Sequence, residues 1–267
     1  MRARLISRVL PALLCAPAIF AGASLSAGAA HAGGGCPSGA GIRAAVCGDA
    51  GRVEILLMPG DLALLDAGPA GAVSVTGAYT GAGVRDSGDG PKPVGVFIAR
   101  GERISLELAR MDGLLVAGAD GRARISTVSD ARIGAEAFDL RDLAGRVAFA
   151  KAAEAAGASA LQSHLLIRDG ALDLREVEGA PTARRRILFQ AASGDLAIWE
   201  SGGARTLYAA AVELQAAHAP VMALNLDMGG HDFCEEARDG HPRSCGIVGR
   251  GEQMAKLSNL VRLVPAP

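Results

Sequence analysis

The sequence is cut into short apolar runs, and nearly every run ends at Gly, Pro or Asp. VEILLM (53–58), AVSVT (72–76), VGVFIA (94–99), RISLEL (103–108) and LLVAG (114–118) follow one another in this way. Runs of that length suit strands and are too short for a helix that must bury one face over several turns. Residues 62–66 and 122–128 extend the set, with Ala119-Asp120-Gly121 as the turn before the latter. Further strands are expected at 164–167, 186–190, 196–200, 221–226 and 260–263. Two segments carry helical spacing instead. Residues 142–156 repeat Leu143, Val147 and Ala150 on one side, and residues 204–218 align Leu207, Ala211, Leu214 and His218 before Pro220 stops them. Many strands with two main helices predict an α+β fold, a single domain of mixed β-sheets and not a doubly wound one. The polar, Gly-rich stretch 81–92 belongs to it as a long surface loop.

Aromatic residues make up only 3% of the chain while 36 of 267 residues are Gly, so the core must be built from Ala, Val, Leu and Ile. With 27 basic and 28 acidic side chains there is no charge excess, and half the residues are hydrophobic. A disordered polyelectrolyte is excluded, and a nucleic-acid partner is not expected, because such a binder shows a basic balance or a basic stripe with aromatics.

The first 32 residues have the layout of a secretory signal peptide. Arg2, Arg4 and Arg8 precede an apolar stretch broken by Pro11 and Pro17, and Ala30-His31-Ala32 supplies the small residues of a cleavage site. The expected mature chain is residues 33–267, exported to the periplasm or beyond, with no membrane span. Losing three Arg and no acid takes the net charge from −1 to −4. Export bears on the four remaining cysteines. Cys36 and Cys47, and Cys234 and Cys245, form two local pairs with equal spacing, as expected of two short-loop disulfides. A competing pattern is His231, Cys234, His241 and Cys245 as H-x2-C-x6-H-x3-C, a spacing zinc accepts. The disulfide reading is preferred, because the other pair already implies oxidised thiols.

Three blocks can carry chemistry. In APVMALNLDMGGHDF (219–233) an apolar strand ends at Asp227, with Gly229, Gly230 and His231 just beyond. An acid at the mouth of a buried strand beside permissive backbone fits an active site, and equally a capped turn. In QSHLLIRDG (162–170), His164 is a base or a core histidine, with Ser163 beside it. In ARRRILFQ (183–190), strand alternation sends Arg184 and Arg186 one way and Arg185 the other, so that one face can hold an anion. No G-x-S-x-G, G-x-x-x-x-G-K-[ST] or H-E-x-x-H motif is present, and no cofactor or metal is expected.

The order of these blocks resembles the phosphodiester glycosidase family. The residues that carry the resemblance are VTGAYTG (75–81), KPVGVFIARG (92–101), LLVAGADGRARI (114–125), QSHLLIRDG, ARRRILFQ, TLYAAAVELQ (206–215), ALNLDMGG (223–230) and KLSNLVRLVP (256–265). They span about Val75 to Pro265. Thr76 stands where the family has Asn, His164-Leu165 replaces Gly-Pro, Gln190 replaces Gly, Met228 interrupts Asp-Gly-Gly, and His231-Asp232 stands where a Ser commonly follows. The resemblance implies hydrolysis of a sugar 1-phosphodiester. Arg186, with Arg184 as its same-face alternate, is then expected to clamp the phosphate. Asp227 is expected to steady the oxocarbenium-like carbon or activate water. Thr76, Ser163, His164, Gly229, Gly230 and His231 would line the substrate. A sugar phosphate or glycan is the implied partner. The altered positions keep a second expectation open, a non-catalytic carbohydrate- or phosphoglycan-binding protein on the same scaffold.

Overall fold

The structure is a computed structural model that describes residues 35–81, 91–238, 241–251 and 254–266. The expected leader at 1–32 and residues 82–90 of the expected loop lie outside the described residues. The chain begins β1 (Ile42–Val46), β2 (Arg52–Leu57), α1 (Leu62–Asp66), β3 (Val73–Thr76), β4 (Phe97–Ala99) and β5 (Glu102–Ser105). It continues β6 (Gly113–Ala117), β7 (Ala123–Thr127), β8 (Ala131–Ile133), β9 (Glu136–Phe138), α2 (Leu143–Ala156), β10 (Ser159–Ser163), β11 (Leu165–Arg168) and β12 (Ala171–Leu172). The last part is β13 (Arg186–Gln190), β14 (Leu196–Glu200), α3 (Leu207–His218), β15 (Met222–Leu226), β16 (Cys234–Arg238), β17 (His241–Ser244) and β18 (Asn259–Val264).

Three antiparallel sheets form, in the orders β1-β14-β13-β15-β11-β12, β5-β4-β10-β6-β7 and β17-β16-β3-β18-β2; β8 and β9 pair separately. Their inner faces meet in one core containing Val53, Ile55, Val75, Phe97, Leu115, Leu161, Leu188, Leu224 and Val261. Each helix covers an outer face. Phe149, Ala150 and Ala153 of α2 pack on Ile98, Leu114, Val116 and Ala160. Ala210, Ala211 and Leu214 of α3 pack on Ile187, Phe189, Ala197 and Ala223. Strands covered on both faces carry apolar residues at successive positions: Leu188 points to the central core while Ile187 and Phe189 point to α3. Alanine on the helix faces suits a chain this poor in aromatics, since small side chains let helix and sheet approach closely. Both helices start at the expected kind of cap: Asp142 accepts from Gly145 N, and Thr206 accepts from Ala209 N.

Residues 62–66, expected as a strand, form helix α1. Asp61 decides this locally: its carboxylate accepts from Leu57 N at 2.7 Å and is gripped by both terminal nitrogens of Arg100, and its carbonyl accepts from Leu65 N. Only Leu65 of the pentad is buried, while Leu62 and Leu64 are exposed. A five-residue apolar run does not distinguish the two states by periodicity. The strand expected over 103–108 ends at Ser105, because the buried Gln162 amide takes the place of a neighbouring strand. Its Oε1 accepts from Val96 N and Ala109 N, and its Nε2 donates to the carbonyls of Ala109 and Met111.

The cysteines pair at disulfide distance as Cys36–Cys47 and Cys234–Cys245, with Cα–Cα separations of 5.5 and 4.8 Å. Each closes a loop 11 residues apart in sequence, worth about 2–3 kcal/mol on chain-entropy grounds. We expect no free thiol in the unreduced protein, and a melting temperature lowered by several degrees on reduction. Thiol titration and calorimetry check this; free thiols with stoichiometric zinc would restore the metal reading.

Candidate active site

Asp227 stands one residue beyond the end of β15, at an edge where two sheets meet. Its N–H donates to the Gly77 carbonyl at 2.9 Å, and the Gly77 N–H donates to Asn259 O across the mouth of β18. Gly77 is required by this approach: a Cβ there would lie 2.4 Å from Asn259 Oδ1. The Asp227 carboxylate is largely buried; Thr80 N donates to it over a long 3.4 Å, Met228 is a second backbone donor, and His231 Nδ1 lies 3.7 Å from the oxygen that Thr80 meets. Burial therefore raises its pKa above the ordinary 3.8, outweighing the His231 charge and the backbone donors Thr80 and Met228. A carboxylate with so few fixed donors, unlike one sealed in an ion pair, can take a proton or face a developing cation.

The residues around it come from three segments. Tyr79 lies on the turn after β3, packed edge-on against His164 with ring centroids 5.6 Å apart. Asn225, two residues before Asp227 and so on the same side of β15, donates from Nδ2 to Tyr79 Oη at 2.5 Å. Burial, then the Asp227 charge, raise the Tyr79 pKa; the Asn225 bond and the Arg185 charge oppose them. Burial lowers the His164 pKa, with Asp112 opposing. Asp227, His231, His164 and Tyr79 are thus assembled at one place.

The other expected site residues occupy a supporting layer. Ser163 is fully buried and donates to the Asn225 carbonyl. Thr76 is fully buried and donates to the His231 carbonyl, while accepting from Phe233 N at 2.9 Å. Both hydroxyls are engaged with main chain, and they hold the two segments that carry the site. Gly229, Gly230 and His231 form a single 3₁₀ turn that brings His231 back toward Asp227.

Arg186 does not present a free guanidinium, contrary to its expected part as a phosphate clamp. It is 1% exposed and held between carboxylates: Glu200 Oε1 lies 2.7 Å from Nη2 and 2.9 Å from Nε, Asp232 Oδ1 lies 2.9 Å from Nη1, and Nη1 donates to Phe233 O. Burial would raise the Glu200 carboxyl, but the Arg43 hydrogen bond and Arg186 together hold it below its ordinary value. Arg184, largely exposed, sits 3.4 Å from the other oxygen of Glu200. The middle arginine differs. Arg185 donates to the carbonyls of Arg205 and Pro181, at 2.9 and 2.7 Å, and has no carboxylate partner among the described residues. Its charge reaches the Tyr79 hydroxyl.

Of the triplet, Arg186 is sealed among carboxylates while Arg185 meets only carbonyls among the described residues; Tyr79, Asn225 and Arg185 are not among the site residues that the sequence predicts. The alternation in Asn225-Leu226-Asp227 was the available signal for Asn225. Cys234 is joined to Cys245, so the zinc pattern with His231 and His241 lacks its thiolates. Among the described residues no group of three or more His, Cys, Asp or Glu is placed to hold a metal.

No protein-family model matches this chain, and no curated protein sequence matches it. Among solved structures, the fold is similar to that of a phosphodiester glycosidase catalytic domain. That structure is the catalytic domain of zebrafish N-acetylglucosamine-1-phosphodiester alpha-N-acetylglucosaminidase, auto-inhibited by its pro-peptide. It aligns with a TM-score of 0.51 and 12% identity over 81% of this chain and 73% of that one. A hypothetical protein from Synechocystis aligns over 80% of this chain at 12% identity and a TM-score of 0.47; the chain spans 57% of its length. The zebrafish likeness fixes the architecture as an α+β domain of that type.

Proposed function

We propose that this chain is an exported hydrolase that cleaves a sugar 1-phosphodiester in glycan or exopolysaccharide material. The observation that carries the proposal is the Asp227 carboxylate, buried at the end of β15 with His231, Tyr79 and His164 around it. The likeness in fold to a phosphodiester glycosidase domain supports the choice of substrate class, and the leader-like first 32 residues with two cysteine pairs support export. Among the described residues no helix is long and apolar enough to cross a membrane.

In this reading, water adds to the anomeric carbon while the carbon–oxygen bond to phosphate breaks, its electron pair remaining on the phosphate oxygen. Asp227 stabilises the positive charge that grows on the sugar and accepts the proton of the attacking water. Arg185 offsets the charge on the phosphate. A phosphomonoester leaves readily, so one well-placed carboxylate suffices.

The test is hydrolysis of 4-nitrophenyl and methyl phosphodiesters of α-glucose, α-galactose, α-mannose and N-acetyl-α-glucosamine by the mature protein in ¹⁸O-labelled water. We expect reducing sugar carrying the label and an unlabelled phosphomonoester. Label in the phosphate would mean phosphorus–oxygen cleavage and a different enzyme. The sealing of Arg186 between carboxylates favours one alternative, a phosphoglycan-binding protein. Binding of these diesters without any turnover would establish it.

A further inference from the structure

The phenol of Tyr79 accepts one hydrogen bond at this site and has a proton left to give. Its oxygen accepts from Asn225 Nδ2, which leaves its own proton without an acceptor among the described residues, and the Oδ1 of the same amide is likewise buried without a partner. The turn that carries Tyr79 is clamped on both sides. Ala78 N donates to Asn259 Oδ1 at 2.7 Å, Asn259 Nδ2 returns a bond to Ala78 O, and Thr80 N reaches Asp227 Oδ2. The Tyr79 carbonyl accepts from Val94 N at 2.7 Å, and His164 lies edge-on to the ring. Asn225 is fixed in turn: its N–H donates to His164 O, its carbonyl accepts from Ser163, and its backbone lies in register with Ile187. Two buried asparagines and a serine thus hold one phenolic O–H within electrostatic reach of the Asp227 carboxylate.

The geometry points to Tyr79 as a catalytic hydrogen-bond donor to the departing phosphate oxygen, with Asn225 as its positioning residue. This rests on the hydrolysis proposed above. When the bond from the anomeric carbon to oxygen breaks, the pair left on that oxygen gains negative charge; the phenol stabilises it without giving up its proton, which the phosphomonoester does not need. Asp227 on one side of the scission and a neutral O–H on the other divide the growing charges between them. A donor that strengthens as charge develops acts on turnover more than on binding.

The experiment compares Tyr79→Phe with the unmodified protein on aryl and alkyl phosphodiesters of one accepted sugar. The Phe variant keeps the ring against His164 and loses only the hydroxyl. We expect kcat to fall about 10- to 100-fold with the methyl phosphate leaving group, KM to change less than about threefold, and the loss to shrink several-fold with 4-nitrophenyl phosphate, the less basic leaving group. A structural role would lower all substrates alike. Equal losses across the series, or no loss, overturn the assignment of Tyr79 while leaving the hydrolysis intact. Failure of the unmodified protein on every diester overturns both. Asn225→Asp, which keeps the size of the side chain, is expected to reproduce the leaving-group dependence in weaker form.

Discussion

Asp227→Asn is expected to lower kcat for a sugar 1-phosphodiester by about 100-fold or more, the scale on which loss of a key electrostatic group acts, and to raise stability at neutral pH. Both effects have one cause. The carboxylate is buried, with backbone donors Thr80, at a long 3.4 Å, and Met228 and a distant His231, so its charged form is costly in the folded state and its pKa is raised. Such a group is ionised more readily unfolded than folded. The penalty is therefore full above the folded pKa, shrinks as pH falls through it, and is gone below the unfolded value of about 3.8. Urea midpoints of the two proteins should differ at pH 7 and converge near pH 3. The acid limb of kcat/KM for the unmodified protein should lie above the ordinary Asp range, because the working form is the carboxylate. An Asn variant that keeps its turnover removes Asp227 from the chemistry. One that loses both activity and stability makes it a structural cap.

Arg186→Leu is expected to cost about 3–5 kcal/mol of stability, the scale for leaving a buried charge without its partner. The guanidinium lies between Glu200 and Asp232, all three nearly sealed from water. Glu200 would keep Arg43 and Arg184 on its other oxygen, but the described ion pairs give Asp232 no other cation. Asp232 adjoins His231 and receives N–H bonds on its carbonyl from Ile247 and Val248, so its displacement loosens the loop that returns to Asp227. The measurement is equilibrium denaturation of Arg186→Leu beside Arg185→Leu. The Arg185 guanidinium donates to two carbonyls and meets no carboxylate among the described residues, and its loss should leave the midpoint within about 1 kcal/mol while weakening diester binding in the proposed reaction. The reverse result, a stable Arg186 variant that no longer binds diester, would return the clamp to Arg186.

Much of the scaffold was legible because its signals are local. β13 and β14 have the bounds their apolar runs predicted, and α2 and α3 follow the helical spacing and end where Gly157 and Pro220 stop them. What escaped lacked such a signal. β10 is SALQS, with no β-branched or aromatic residue, yet it lies between β4 and β6 with all five positions buried. Its place follows from two neighbours distant in sequence. β16 and β17 carry Glu, Arg and His on an edge hairpin that gives no apolar alternation to read. At the site, Asp227 was recognisable from a strand that ends in an acid and two nearby glycines. Tyr79 was visible only as an aromatic in a turn, since its partners Asn225 and His164 lie 146 and 85 residues away.

The amino-acid order alone pointed to an α+β fold, to two short-loop cysteine pairs as the preferred reading and to Asp227 as a candidate, because turn residues, short-loop spacing and strand alternation act over a few positions. Tertiary structure decided which arginine is sealed among carboxylates and which meets only carbonyls among the described residues, and which hydroxyls are engaged with main chain. Those distinctions depend on the charges and carbonyls that other segments bring alongside, and a linear pattern of residue types holds no record of them.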